Sequence, residues 1–294
     1  MKTPRISIEQ WRTLQAVVDH GGFAQAAEKL HRSQSSVSYS VAKLQDQLGL
    51  PVFEIEGRKA QLTQAGEALL RRSRHLLQQA QELESFARSL QQGWEAQVNL
   101  VVDTVFPTDK LMRALRRFEP VSQGCRVQLR EVVLSGAEDA LEEGYADLVI
   151  CAHVPARFLG EPLLEIDFIA VTHPQHPLQQ LNREVTVSDL EGQLQVVIQD
   201  SGLRYPKNIG WLGAEHRWSV SSVETAVAAV SEGLGYAWLP RHRIAQMLEN
   251  SLLQPVPLER GAQYKSTLYI VHGRNQESGP GTRLLAELLH QEVM

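Results

Sequence analysis

Phe23-Ala24-Gln25-Ala26-Ala27-Glu28-Lys29-Leu30, a turn at His31-Arg32, then Ser33-Gln34-Ser35-Ser36-Val37-Ser38-Tyr39-Ser40-Val41-Ala42-Lys43-Leu44-Gln45-Asp46-Gln47-Leu48-Gly49 carry the pattern that decides the fold. Phe23, Ala26, Ala27 and Leu30 share one face of a short helix, and the Ala26-Ala27 pair lets another helix cross closely. Ser33 is placed to cap a third helix whose buried face is Val37, Val41, Leu44 and Leu48, and Gly49 suits its left-handed stop. Upstream, Ser7 caps a first helix with Ile8, Trp11, Leu14 and Val18 on one side, ended by Gly21-Gly22. Short hydroxyl and amide side chains fill the outer face of the third helix and admit close approach to a DNA major groove. Gln34, Ser36, Ser38 and Tyr39 are therefore expected to face the bases, with Ser33 and Lys43 on phosphates. The competing reading is a polar surface on an ordinary three-helix bundle.

Two further elements follow. Pro51-Val52-Phe53, a turn at Glu56-Gly57 and Arg58-Lys59-Ala60-Gln61-Leu62 read as a two-stranded wing, with Arg58 as a third phosphate contact. From Thr63, an N-cap, the chain runs to about Gly93 with no interior proline. Leu69, Ser73, Leu76, Ala80, Leu83, Ala87 and Leu90, spaced 4, 3, 4, 3, 4 and 3, form a heptad seam with leucine at one core position and small residues at the other. Thirty helical residues span roughly 45 Å, so one narrow apolar stripe calls for a partner, most simply a second copy through Leu69, Leu76, Leu83 and Leu90. Packing of the stripe on the chain's own C-terminal part is the alternative. This divides the chain into a mainly α winged helix-turn-helix (1–63, helix-turn-helix 23–42), a coiled-coil linker helix (64–93) and the remainder (94–294).

Here the residues resemble a family. Residues 23–30, Ser33-Gln34-Ser35-Ser36-Val37-Ser38, Leu44-Gln45-Asp46-Gln47-Leu48-Gly49 and Leu62-Thr63-Gln64-Ala65-Gly66 are similar to the LysR-type bacterial transcriptional regulators. The resemblance is specific over residues 7–66 and architectural beyond. The chain departs from the family at Ser35, where proline is common, and at Tyr39 and Ile55, where arginine is common.

Composition agrees with a bipartite chain. Residues 1–93 hold 12 Lys and Arg against 9 Asp and Glu, net +3, whereas residues 94–294 carry net −8. A basic front suits a polyanion, and the acidic rear does not. With 43% hydrophobic residues, two cysteines and no membrane-length apolar run, a secreted disulfide scaffold and a helical membrane protein are excluded. The N-terminus has no signal-peptide core, and the cytoplasm is the expected compartment.

After Trp94 strands and helices alternate: strand 98–102, helix 110–118, strand 127–132, helix 137–142, strand 148–150, then a second series from Phe168. This is α/β, with a parallel sheet and right-handed crossovers. The resemblance implies a two-lobed, periplasmic-binding-protein-like effector domain, lobe I about 94–166 and 268–294, lobe II about 167–267. Its crossovers are placed near Glu165-Ile166 and Lys265. Ligands in such sheets sit beyond the C-terminal strand ends. The loops there offer Thr104, Phe106, Ser135, His153, Thr172, Ser201, Ser222 and Trp238 as an effector site, with Arg204 as a cation within reach. Hydroxyls dominate, which suits a small ligand held by hydrogen bonds, a carboxylate on helix N-terminal amides being one such anchor. Each serine could instead cap its own helix, and the cleft could be a water-filled hinge.

Other chemistry is poorly supported. His173-Pro174-Gln175-His176-Pro177 is a proline-bound loop without neighbouring metal ligands, and no metal or cofactor is expected. Cys125 and Cys151 fall on different strands, too far apart to pair. Trp211, Trp218 and Trp238 are expected in the core or at a lobe interface. No nucleophile elbow, phosphate loop or zinc-protease motif occurs, so an enzyme is not expected. The expectation is a LysR-type regulator that activates or represses in response to a small-molecule effector, works as a dimer or tetramer on promoter DNA and contacts RNA polymerase. The alternatives are a solute-binding module without DNA function and an α/β enzyme.

Overall fold

Ser7 opens the first helix with a reciprocal cap: its hydroxyl accepts the Gln10 N–H, and its own N–H donates to the Gln10 side chain at 2.9 Å. In this computed structural model, which describes residues 3–56, 59–204, 206–207, 213–273 and 278–294, the chain forms two compact units, Met1–Ser89 and Leu90–Met294.

The first unit holds α1 (Ile8–Asp19), α2 (Phe23–Lys29), α3 (Gln34–Leu48), the strands β1 (Phe53–Glu56) and β2 (Lys59–Leu62), and most of α4 (Gln64–Gln91). Leu14, Val17, Ala26, Val37, Val41 and Leu44 make its core. Gly49 ends α3 at φ +72°, as its position after Leu48 requires. The wing is tied to α3 by Gln45, whose side-chain oxygen accepts the N–H groups of Val52 and Phe53 at 2.7 and 2.9 Å. Phe53 then packs on Phe23 with ring centroids 5.5 Å apart.

Thr63 starts α4 by accepting the Gly66 N–H at 2.9 Å while its hydroxyl donates to the Pro51 carbonyl. The helix is joined to the head at once. Leu70 is buried with Leu14, Leu44 and Val52, and Arg74 pairs with Asp19 of α1. One end of the expected seam packs within the chain. Leu69 is half-buried against the head core, and the face through Leu70, Ser73 and Leu77 is buried within the chain. The leucines that stay exposed are Leu76 at 42%, Leu83 at 68% and Leu90 at 41%.

The second unit is built on one curled sheet. Its elements are β3 (Gln97–Asp103), α5 (Thr108–Phe118), β4 (Arg126–Val132), α6 (Gly136–Glu142), β5 (Leu148–Cys151), β6 (Gly160–Thr172) and α7 (Val187–Glu191). They continue with β7 (Gln195–Ile198), β8 (Arg217–Val220), α8 (Val223–Ser231), β9 (Tyr236–Pro240), α9 (Arg241–Glu249), β10 (Gln254–Pro255), β11 (Gln263–His272) and α10 (Pro280–Val293). The strand order is β4-β3-β5-β11-β6-β9-β7-β8, with β10 on β6. β3, β4 and β5 are parallel, as are β7 with β8 and with β9. The long strands β6 and β11 pair antiparallel across the unit, Ser266 opposite Ile166 and Lys265 opposite Asp167. The chain thus crosses between lobes on two adjacent strands. The second series does not begin at Phe168; it continues a strand already running from Gly160.

Each lobe has its own core. Leu100, Phe106, Leu111, Phe118, Ile150 and Leu285 fill lobe I; Val171, Val196, Val227, Leu239 and Ile244 fill lobe II. Glu95 closes the N-terminus of α10 by accepting the N–H groups of Gly281 and Thr282 at 2.9 and 3.1 Å. Cys125 and Cys151 are free and buried, and burial pushes the Cys151 thiol up to about 12. Trp218 is exposed on β8 rather than in a core, and Trp211 lies outside the described residues.

Candidate DNA-reading face and effector cleft

The N-terminus of α3 is a capped platform. Ser33 accepts the Ser36 N–H at 3.2 Å, so its hydroxyl begins the helix as well as facing outward. Gln34, Ser38, Tyr39 and Lys43 are exposed, Tyr39 at 69%, while Val37, Val41 and Leu44 point into the core. Ser36 is only half-exposed, and Arg32 donates to its hydroxyl at 2.7 Å. Arg58 lies outside the described residues. An ordered polar row on one helix face, with Val37, Val41 and Leu44 turned inward, is what a groove-reading helix needs.

The second site is a cavity of about 120 Å³ between the two lobes. Lobe I contributes Asp103, Thr104, Val133 and Leu134; the crossing strands contribute Phe168, Tyr264 and Ser266. Lobe II adds Gln195, Val197, Ile198 and Trp238. Phe168 and Tyr264 stack at 4.6 Å with nearly parallel rings, and the Trp238 indole donates to the Gly261 carbonyl at 2.9 Å. The Thr104 hydroxyl oxygen is buried there without a hydrogen-bond partner.

Only Thr104 and Trp238 of the eight expected cleft residues line this cavity. Phe106 is 2% exposed in the core of lobe I. Thr172 is fully buried in lobe II, accepting from the Gln179 side chain at 2.8 Å. Ser222 caps α8, accepting the Thr225 N–H at 3.1 Å. His153 is exposed in a separate surface hollow beside Tyr269. Arg204 does not reach in; it pairs with Glu142 at 3.2 Å.

Ser135 and Ser201 have another role: they clasp the lobes together. The Ser135 hydroxyl and N–H donate to Asp200 at 2.6 and 3.0 Å. The Ser201 hydroxyl accepts the Val133 N–H at 2.8 Å and donates to the Val133 carbonyl at 3.1 Å. Gly136 and Gly202 make this possible, since a Cβ on Gly136 would clash with Ser201 Oγ and one on Gly202 with the Ser135 side chain and backbone. Arg243 of α9 adds a second bridge, donating to Thr108 Oγ1 at 3.0 Å and to the Thr104 carbonyl at 3.3 Å.

Two carboxylates flank the cleft in opposite electrostatic states. Burial pushes the Asp103 carboxyl up to about 6, against the pull of the Val105 and Leu134 N–H groups, with Asp200 adding like-charge repulsion. Burial also works against the Asp200 charge, but the Lys207 N–H, the Ser135 hydroxyl and the Gly202 and Ser135 N–H groups outweigh it and hold its pKa low. The ionised Asp103 therefore destabilises the folded form. Because its folded pKa lies above the ordinary 3.8, its contribution improves as the pH falls from about 6 towards 3.8. Asp103→Asn is expected to raise the melting temperature at neutral pH and to flatten the melting profile across that window; an unchanged profile would show that Asp103 ionises freely.

Residues 8–67 match the family model for the bacterial regulatory helix-turn-helix protein of the lysR family, and residues 91–294 match that for the LysR substrate binding domain. The chain belongs to the LysR family. Among relatives of this LysR-type regulator is the probable HTH-type transcriptional regulator YhaJ of Escherichia coli K12, 28% identical over 266 residues and 88% of each chain. Another is the HTH-type transcriptional regulator PunR of the same strain, 28% identical over 77% of this chain and 75% of PunR. Full-length LysG from Corynebacterium glutamicum, with bound effector Arg, has the same fold (TM-score 0.53, 17% identity, 98% of each chain). So does AphB of Vibrio cholerae (TM-score 0.53, 18% identity, 98% of this chain and all of that one). The regulator is thus a DNA-binding transcription factor with an effector domain, its relatives are regulators rather than enzymes, and a free-standing solute-binding module is disfavoured by its matched head. Among the described residues no helix is long and apolar enough to cross a membrane.

Proposed function

We propose that this regulator binds promoter DNA as a dimer or tetramer through α3, and changes its DNA-binding geometry when a small molecule enters the cleft between its lobes. The observation that carries this reading is the outer face of α3: a capped N-terminus presenting Gln34, Ser38, Tyr39 and Lys43 while the opposite face holds the head together. Gln34, Ser38 and Tyr39 read base edges, Ser36 supports them through Arg32, and Ser33 and Lys43 meet phosphates. Leu76, Leu83 and Leu90 join two copies. The effector sits on Thr104 and Trp238, and contact with RNA polymerase completes activation or repression in the cytoplasm.

Fluorescence anisotropy with a mutated operator series tests the reading face. Gln34→Ala is expected to relax preference at one or two base pairs by roughly 1–3 kcal/mol and to leave other positions alone. Lys43→Ala should weaken all sequences alike and reduce the salt slope by about one. If Gln34→Ala leaves the ranking of operators unchanged, the reading face is misassigned.

A further inference from the structure

The cleft between the lobes is a place where an anion would ordinarily be welcome, because strand-end amides and hydroxyls gather there. In this chain those donors are already taken by its own carboxylates. Asp200 accepts from Ser135 N and Oγ on lobe I and from Gly202 N and Lys207 N on its own lobe, at 2.5–3.0 Å. Asp103 accepts from Val105 N at 3.1 Å and from the Leu134 N–H. Asp139 accepts from Leu203 N at 2.7 Å and Arg204 N at 3.3 Å. At the Ser135–Gly202 contact the backbones approach so closely that a single added carbon would clash, leaving no room for a ligand carboxylate.

Among the described residues the cavity itself offers no cationic counterion, and its single acid, Asp103, is largely buried. None of the described residues that line it is Lys, Arg or His. Arg243, beside Thr104, already pairs with Glu224 at 3.0 Å and bridges to Thr108. Asp103, the lining acid, is only 2% exposed and is satisfied by its own loops, so it presents little surface to an ammonium group. A charged ligand would be stripped of water here without compensation. What remains is largely apolar and aromatic, Phe168, Tyr264 and Trp238, together with the unpartnered Thr104 hydroxyl and the half-exposed Ser266. The volume, about 120 Å³, is close to that of cavities of about 150 Å³ known to hold one benzene ring.

We propose that the cleft accepts an uncharged, single-ring aromatic molecule bearing one polar group for Thr104. This differs from the carboxylate anchor considered from the sequence, and it rests on the cleft being the effector site. Occupied by such a ring, the cavity would be filled without disturbing the Asp200 clasp, so the ligand stabilises lobe closure instead of supplying it.

The test titrates the full-length protein with three matched probes, benzyl alcohol, benzoate and benzylamine, followed by saturation-transfer NMR and calorimetry. Benzyl alcohol is expected to bind at least about tenfold more tightly than either charged probe. Thr104→Val should weaken it several-fold and Thr104→Leu, which fills the cavity, should abolish it. If benzoate or benzylamine binds the unmodified protein as tightly as benzyl alcohol, and Thr104→Leu removes that binding, the proposal fails while the cleft remains the effector site. If no probe binds in a manner sensitive to Thr104→Leu, the effector-site reading falls and the proposal with it.

Discussion

Exchange of Leu76 and Leu83 for aspartate is expected to convert the regulator to monomers and to remove operator binding at concentrations where the parent saturates. Both leucines are exposed on α4, 42% and 68%, on the row beside the face that Leu70 and Ser73 bury. A stripe of this kind on a helix of about thirty residues finds cover in a second copy. Full burial of each leucine contributes roughly 1.5–3 kcal/mol, and a two-fold pair carries each residue twice. Losing four buried leucines and gaining four desolvated carboxylates should weaken association by well over about a thousandfold. Light scattering and sedimentation measure the mass directly; a fully associated double variant would mean that α4 is covered by something else. The head should remain folded, because Leu69 and Leu70, not Leu76 and Leu83, pack on its core.

The second large effect is confined to the head. Gly66 sits in the first turn of α4 where a Cβ would fall inside the van der Waals shell of the Val52 carbonyl oxygen and press on Leu62. That carbonyl also accepts the Thr63 N–H at 3.0 Å, so it cannot simply turn away. Gly66→Ala must push α4 off the wing, break the Thr63 cap or both, at a cost of several kcal/mol. DNA binding should be lost and the melting transition of residues 3–89 should drop, while the transition of the effector unit stays in place. A single unshifted melting curve with intact DNA binding would contradict this account of the helix–wing junction.

The contrast between these two regions shows what the sequence reveals by itself. Ser7, Ser33, Thr63 and Gly49 act on their immediate neighbours, so the caps and ends of α1, α3 and α4 follow from spacing alone. The α4 leucines are different. Period alone offers two neighbouring apolar rows, and only the tertiary packing of Leu70 on Leu14 and Leu44 decides which one turns inward.

The effector cleft was less legible still. Ser135 and Ser201 stand at strand ends as a ligand site requires, yet their hydroxyls are used between the lobes because Gly136 and Gly202 let the backbones meet. Phe168, Tyr264 and Ser266 reach the cavity through the register of β6 on β11, a pairing nearly a hundred residues apart. Asp103 carried a readable signal, the one acid of its strand, following Leu100-Val101-Val102, and such a group is a site candidate by its burial cost. α9 gave none: its N-cap is Pro240, without a side-chain hydrogen bond, and Ile244 is its one fully buried residue.

Selection of binding sites from a random double-stranded library by the full-length regulator tests the central claim most directly. The account predicts enrichment of an interrupted inverted repeat whose half-sites lie in major grooves on one face of the duplex, and loss of specific base positions within each half-site on Gln34→Ala. Recovery of no common sequence, or of a motif indifferent to every exposed residue of α3, would contradict it.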